Sequence, residues 1–408
     1  MASSLEPCAQ RSLKFTRKLS AMTPSSRLRS LGLNSLLAGW LLLASPRTRA
    51  ENSVSYKYED YREADGRIAV KTQNALYEQD LGTDNHLKVQ AVIDAIAGAT
   101  PNGQPAPDGS DQVVLAPLHD RRKAWNADLS HQFPVTKVDL GVANSRESDY
   151  TSNGWSLNTR TDFNQKNTSL LAAIAGTDDK VKVYYQSAWA KKWSNDAIVG
   201  LTQLLDPRTS VSFNLTWGQA SGFLSDQYKL VQKNVELAPG VFLPFTFGEN
   251  RPDHRNRLIA LAALNRAFPE LSGAIEASYR FYHDSFGTDA HALELRWLQR
   301  IGGNLVLQPE LRLYDQSAAS FYYYQLDKTS IIPTAGAPNP KGPFYSSDYR
   351  LSALRSSTYG MKVIWTAPTH WQLDAGYEEY VMRGKDNVTP QSAYPHAGIW
   401  SLGAKFSW

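Results

Sequence analysis

The sequence predicts an all-β protein, a transmembrane antiparallel up-and-down β-barrel of about 16 strands (roughly 14–18). Three observations predict it. The last strand has one apolar and one polar face, similar strands recur along the chain, and the connections alternate between short turns and long loops. The 408 residues have a mean hydropathy of −0.42. A barrel is compatible with this low value, because the lumen-facing half of each strand is polar.

The last strand is apolar at every second residue: Trp408, Phe406, Ala404, Leu402 and Trp400. The residues between them are mostly small or polar, so one face is apolar. The stretch is long enough to cross a bilayer as a tilted strand, and a strand in lipid must belong to a closed barrel. An aromatic end on the apolar face resembles the C-terminal strand that the barrel-assembly machinery recognises in outer-membrane proteins. We therefore expect Trp400, Leu402, Phe406 and Trp408 to form this signal; the alternative is the last strand of a soluble sandwich.

Strand-like alternation recurs from Ser53 onward, without a helical period of useful length. The predicted strands are 53–61, 67–79, 85–95, 123–133, 136–148, 154–165, 168–175, 193–205, 208–220, 256–268, 271–284, 289–301, 304–318, 352–366, 369–382 and 396–408. Pro309 lies on the lipid-facing side of its strand and cannot donate to the ladder, which predicts a bulge or local irregularity.

The connections support the same fold independently. Links after even strands are short and rich in Gly, Pro, Asp and Asn, namely 80–84, 134–135, 166–167, 206–207, 269–270, 302–303 and 367–368. The long links all follow odd strands, namely 96–122, 176–192, 221–255, 319–351 and 383–395. Short periplasmic turns and long outer loops are typical of a transmembrane barrel, whereas a soluble sandwich has no reason to sort its loops in this way.

The first part of the chain predicts a secretory signal peptide, residues 1–50, removed after Ala50. Basic residues precede a short apolar run, 31–44, which is too short for a normal spanning helix of about 20 residues. Met22 is a better start than the first residue, because nothing before it serves such a signal. Export then leaves one barrel domain, 51–408, in the outer membrane of a Gram-negative bacterium.

The basic excess of the chain lies in this leader. The formal net charge is +4, but residues 1–50 hold eight Lys and Arg and one acid, so the mature chain has 35 basic and 38 acidic side chains. This balance gives no case for nucleic-acid binding. Cys8, the single cysteine, also lies in the leader, so no disulfide or thiolate metal site is predicted. The eight His have no metal-ligand spacing, and we predict no metal and no cofactor.

Charged side chains share one face of several predicted strands. That face must point to the lumen, because an Arg facing lipid at mid-depth costs about 2–4 kcal/mol. Opposite charges on neighbouring strands can then pair. The lumen-lining residues are Glu276, Arg280, Glu294, Arg296, Glu310, Arg312, Lys362, Asp374 and Glu378. Two roles stay open: selectivity in a pore, or bracing of the barrel wall.

The strongest aromatic run is Phe321, Tyr322, Tyr323 and Tyr324. Its place after a strand end favours a girdle at the membrane interface, and the alternative is a stacking platform for a sugar or flat ligand. The neighbouring residues His283, Asp284 and Ser285 have the types of a nucleophilic site. Adjacent strand residues alternate faces and form no relay by themselves, so no catalytic site is predicted.

Five stretches carry distinctive motifs: 221–229 (SGFLSDQYK), 279–287 (YRFYHDSFG), 291–295 (HALEL), 313–322 (LYDQSAASFY) and 347–352 (SDYRLS). They resemble an uncharacterised family of bacterial outer-membrane barrels catalogued as a domain of unknown function (DUF3570-like), over nearly all of 54–408. The resemblance implies the barrel fold and the location, and, because the motifs mix loop and strand residues, a loop structure packed over the mouth. It implies no activity, although the family's association with flavin-transfer and thioredoxin-like proteins suggests periplasmic redox work.

The sequence favours a non-enzymatic outer-membrane barrel. The first hypothesis is a porin-like passive channel for small solutes or ions, because about sixteen strands can leave an aqueous channel. The alternative is a non-conducting envelope accessory or docking protein, and an outer-membrane enzyme is the third. Expected partners are outer-membrane lipid and the assembly machinery, without nucleic acid. Whether loops 221–255 and 319–351 plug the lumen decides between the first two.

Overall fold

The computed structural model describes residues 52–327, 329–334 and 336–408. Within these residues, sixteen strands close into an antiparallel barrel and two more form a separate hairpin. The barrel strands are β1 (Ser53–Glu63), β2 (Ala69–Leu81), β3 (Asn85–Pro101), β4 (Leu115–Gln132), β5 (Thr136–Arg146), β6 (Tyr150–Phe163), β7 (Thr168–Val181), β8 (Ala190–Asp206), β9 (Thr209–Gly222), β12 (His254–Phe268), β13 (Gly273–Asp284), β14 (Asp289–Ile301), β15 (Leu305–Gln316), β16 (Leu354–Thr366), β17 (Trp371–Gly384) and β18 (His396–Ser407). The hairpin is β10 (Leu230–Ala238) and β11 (Val241–Gly248). The predicted barrel is confirmed; the predicted signal peptide, 1–50, lies outside the described residues.

The barrel closes by pairing its first and last strands. β1 pairs with β18 from Ser53 opposite Ser407 to Glu63 opposite Ala397. Elsewhere each strand pairs with its sequence neighbours, except that β9 pairs directly with β12 and leaves the hairpin outside the wall. Within the described residues, closure leaves no unpaired edge in the barrel wall, which is the condition for strands surrounded by hydrocarbon.

The last strand shows how the two faces of the wall differ. Trp400 and Leu402 are 62% and 58% exposed, whereas their neighbours Ile399 and Ser401 are each 6% exposed. Phe406 also lies on the outer face, where its ring packs 5.0 Å from that of Trp371. Large apolar side chains are exposed in the same way on the other strands. The outer surface is therefore apolar all round and suited to lipid.

The two rims differ as predicted. At the short-turn rim, the described residues include two 3₁₀ turns, Asn164–Lys166 and Pro269–Leu271. The long loops at the other rim contain two more, Tyr349–Leu351 and Gln391–Ala393. None of the helices in the described residues is long and apolar enough to cross a membrane. Much of the predicted loop 96–122 is strand instead, with pairing that reaches Pro101 opposite Leu115. The backbone hydrogen bonds between β3 and β4 therefore continue beyond the part of these strands that has apolar residues at every second position.

Pro309 produces a local irregularity but no bulge. It pairs with Met361 of β16 in an unbroken register. On its other side, the pairing of β14 and β15 stops after Arg296 opposite Glu310 and resumes at Gln299 opposite Leu307 in the same register. The missing proline N–H thus interrupts the ladder without inserting a residue.

Candidate functional site

The outer mouth is covered by the two longest loops, which we call the lid: residues 223–253, with the β10–β11 hairpin, and 317–353. The loops pair through their backbones. Asn250 and Tyr345 form an antiparallel bridge, with N–H···O distances of 2.8 and 2.9 Å. The amide of Leu326 donates to the carbonyl of Gln232 at 2.9 Å. The two loops are therefore one folded unit.

The lid inserts an aromatic side chain into the outer end of the barrel. Tyr349 is 3% exposed, and its ring lies 5.7 Å from that of Tyr394. The residues of the surrounding apolar cluster include inward-facing members of β1, β2, β4, β16, β17 and β18: Tyr61, Val70, Leu118, Leu354, Tyr380, Met382 and Ile399. The lid is thus packed through an apolar core against the inner face of these strands at their outer ends.

Six charged side chains are buried where the lid segments meet, and we call them the buried ion cluster: Asp226, Lys229, Glu249, Arg251, Asp348 and Arg350. The guanidinium of Arg350 lies 2.7 Å from Asp226 and 2.5 Å from Asp348. That of Arg251 lies 2.6 Å from Glu249 and 2.8 Å from Asp348. Lys229 donates to the carbonyl of Pro101 at the end of β3. The cluster has equal numbers of positive and negative side chains and connects both loops to the wall.

Burial and mutual attraction set the charge states of this cluster. Burial alone would raise the pKa of the Asp348 carboxyl, but the charges of Arg350, Lys229 and Arg251 hold that pKa well below its usual range. Burial lowers the pKa of the Lys229 ammonium to about 8, although the surrounding carboxylates oppose this. Removing one member would leave its partner as an uncompensated buried charge. The cluster therefore favours a single closed arrangement of the lid.

The predicted lumen-lining charges lie deeper, around Arg296. Its guanidinium lies 2.9 Å from Glu276 and 3.4 Å from Glu310, and it also contacts Glu294. A separate pair, Lys362 and Asp374, is 3.4 Å apart across β16 and β17. The inner face of the same strands also includes Arg280, Arg312 and Glu378. The paired side chains retain between 13% and 32% exposure, so this part of the lumen is solvated.

The aromatic run lies inside the lid. Phe321 is 4% exposed and packs edge-to-face on Phe286, with ring centroids 4.9 Å apart. The hydroxyl of Tyr322 lies 2.5 Å from that of Thr389, Tyr323 packs on a second apolar cluster, and the Tyr324 hydroxyl accepts from the amide of Ala106. The expected interface girdle is wrong for this run, because the side chains contact other parts of the loops over the mouth and do not line the outer face of the wall.

The buried ion cluster was not predicted from residue patterns, because charged residues in loops normally face water. The family motifs were the available signal. Segment 221–229 contains Asp226 and Lys229, and segment 347–352 contains Asp348 and Arg350. The structure brings these two motifs into direct contact through Asp226 and Arg350. The implied loop structure over the mouth is therefore present, with ion pairs at its centre.

The sequence matches the family described as Protein of unknown function (DUF3570) over residues 41–403. The chain belongs to this family. The resemblance carried by the five motifs is thereby confirmed. No curated protein matches the chain.

Among solved structures, the chain is similar to the ferric enterobactin receptor PfeA of Pseudomonas aeruginosa, with 12% identity and a TM-score of 0.44, over 88% of this chain and 60% of the receptor. It is similar to the siderophore receptor PirA of the same organism, with 12% identity and a TM-score of 0.40, over 88% and 62%. A bacterial polysaccharide outer membrane secretin matches with 10% identity and a TM-score of 0.44, over 88% and 98%. The DUF3570 chain thus spans about 60% of the length of the siderophore receptors, and the likeness is limited to barrel architecture.

Proposed function

We propose that this outer-membrane barrel is a non-conducting envelope accessory protein, closed at its outer mouth by the lid. The observation that supports this most directly is the buried ion cluster. To open the mouth, Arg350 and Arg251 must leave carboxylates with which they form buried pairs, and separating such a pair is strongly unfavourable. Tyr349 must also leave its apolar core. A passive pore does not require loops held by so many buried contacts.

Conductance in planar lipid bilayers tests this proposal. The folded full-length barrel is expected to insert without stepwise conductance. A variant in which residues 223–253 and 317–353 are each replaced by a short Gly-Ser linker lacks the lid and is expected to conduct. The matched control shortens only the exposed tip of the hairpin, 236–243, and is expected to remain closed because the buried ion cluster is intact. Steady conductance by the folded wild-type protein would reject the proposal.

A porin-like passive channel is the second candidate, supported by the solvated charges around Arg296. Under this hypothesis small ions pass the lid, and the wild-type protein conducts. Arg296→Gln would then remove the guanidinium that contacts Glu276, Glu294 and Glu310 and shift the reversal potential toward cation selectivity. The control Arg208→Gln, at an exposed ion pair on the opposite rim, would leave selectivity unchanged. An electrically silent wild-type barrel rejects this candidate.

A further inference from the structure

Three carboxylates meet at the outer rim, outside the buried ion cluster. Asp120 lies in the outer part of β4, and Glu147 and Asp149 lie in the short link between β5 and β6. The register of β4 and β5 places Lys123 opposite Arg146. Beyond this pair the link folds over the outer end of β4, where the amide of Ser148 donates to Oδ1 of Asp120 at 3.3 Å. One carboxylate oxygen of each residue lies within 4.8 Å of one from each of the other two.

Two of these carboxylates have a buried oxygen without a hydrogen-bond partner. Asp149 is 7% exposed, and its Oδ2 accepts from the Tyr228 hydroxyl and from Gln227 Nε2 at 3.1 Å. Its Oδ1 is buried and accepts no hydrogen bond. In Asp120, Oδ1 accepts from the amides of Arg121 and Ser148, and Oδ2 is buried without a partner.

A buried carboxylate requires a compensating group. Among the described residues, no Lys or Arg side chain lies at ion-pair distance from Asp120 or Asp149. A buried charge without a partner is costly, and three neighbouring carboxylates repel each other. A bound cation would supply both the missing charge and the missing partner for the two free oxygens.

We propose that Asp120, Glu147 and Asp149 bind one Ca²⁺ ion at the outer rim. Calcium takes oxygen ligands at about 2.3–2.6 Å, so two ligands of one ion can be up to about 5 Å apart, and the observed spacing fits this limit. Carboxylates that bind in monodentate or bidentate mode, together with water, complete the usual six to eight ligands. An all-oxygen set without His or Cys is unsuited to zinc or copper. Magnesium demands near-ideal octahedral geometry at shorter distances and usually keeps several waters, so three protein carboxylates suit calcium better.

The site connects the wall to the lid. Tyr228 and Gln227 belong to the lid and donate to Oδ2 of Asp149. An ion that fixes Asp149 therefore also fixes this part of the lid against the rim. The site goes beyond the proposed function and does not depend on it, because the ion can bind whether or not the barrel conducts.

Isothermal titration of the chelator-treated, folded full-length barrel with CaCl₂ tests the site. We expect one ion per chain with a Kd on the order of 10⁻⁴–10⁻³ M, as in extracellular calcium modules. Sensitised Tb³⁺ luminescence excited through tyrosine is a second readout, because Tyr228 contacts Asp149. MgCl₂ is expected to bind at least about tenfold more weakly. No saturable calcium binding by the wild-type protein, or tighter binding of magnesium, would overturn the proposal.

Variants locate the ion. Asp120→Asn combined with Glu147→Gln keeps the shape of both side chains and is expected to weaken calcium binding at least about tenfold, because charge count sets the affinity of such sites. The matched control is Asp108→Asn combined with Asp111→Asn, two exposed carboxylates in the β3–β4 loop, which should bind calcium like the wild type. Circular dichroism confirms that each variant is folded. Equal affinities of the two double variants would refute the assignment.

Discussion

Replacing Arg350 by methionine tests whether the buried ion cluster holds the lid closed. Methionine retains an apolar stem but removes the guanidinium from Asp226 and Asp348, which are 4% and 1% exposed. The cluster then has one uncompensated negative charge. Removing one partner of a buried ion pair costs about 3–5 kcal/mol. At 1.4 kcal/mol per factor of ten, the equilibrium for lid opening should rise roughly one hundred- to four thousand-fold.

Hydrogen exchange of the folded barrel in detergent measures this directly, because amide exchange reports local opening. The amides of 224–231 and 345–352 should lose protection by that factor, while the paired amides of β13 and β14 remain protected. The matched control is Arg208→Met. Arg208 lies 2.7 Å from Glu270, but the two side chains are 55% and 67% exposed at the opposite rim, so water screens the pair and its loss should leave the lid unchanged. If Arg350→Met and Arg208→Met leave the lid equally protected, the cluster does not hold it.

Three further outcomes follow from the same geometry. The Lys229 pKa is lowered from 10.5 to about 8, so between these pH values the open state of the lid binds more protons than the closed state. The lid should therefore become more protease-resistant as pH rises from about 8 to 10. Lys229→Met should abolish this trend, and a trend that persists in the variant would show that Lys229 does not cause it. Tyr349→Ala should destabilise the lid by about 3–5 kcal/mol, measured by hydrogen exchange. Tyr359→Ala, on the lipid face, should leave hydrogen exchange of the lid unchanged. Equal exchange in the two variants would show that Tyr349 does not hold the lid through its apolar contacts. Leu402→Arg should destabilise the barrel in lipid vesicles by about 2–4 kcal/mol, and the lumen-facing Gln372→Arg should destabilise it by much less. Urea unfolding in vesicles measures both variants, and the reverse order of stabilities would show that the two faces are misassigned.

The strands were predictable because the signal is local. A period of two residues marks each wall strand wherever one face meets lipid, as the exposed Leu402 beside the buried Ser401 shows. The turn residues then mark the strand ends. The pattern weakens outside the membrane, where both faces are polar. This is why β3 and β4 continue to Pro101 and Leu115, well into the predicted loop.

The contacts of the lid and the rim could not be predicted in the same way, because they are set by the tertiary structure. Asp226 and Arg350 are 124 residues apart in the chain and meet only when the barrel brings their loops together. Asp120 and Asp149 become neighbours only when the link between β5 and β6 folds over the outer end of β4. The periodicity of side chains along one strand does not specify such pairs. The sequence prediction of a metal site depends on His residues at metal-ligand spacing, and this criterion does not detect a site made only of carboxylates.

The anchoring of the lid argues against a simple gate. A gating loop usually moves about a few hinge residues and has few contacts to break. Here the lid is attached at separate points of the rim: Tyr228 donates to Asp149, Lys229 donates to Pro101, and Gln316 of β15 donates to the carbonyls of Arg350 and Ser352. Between these points lie the buried ion cluster and the core around Tyr349. Because movement at one point leaves the others engaged, opening requires nearly all of these contacts to break together, and the closed mouth is a property of the folded barrel rather than of one loop.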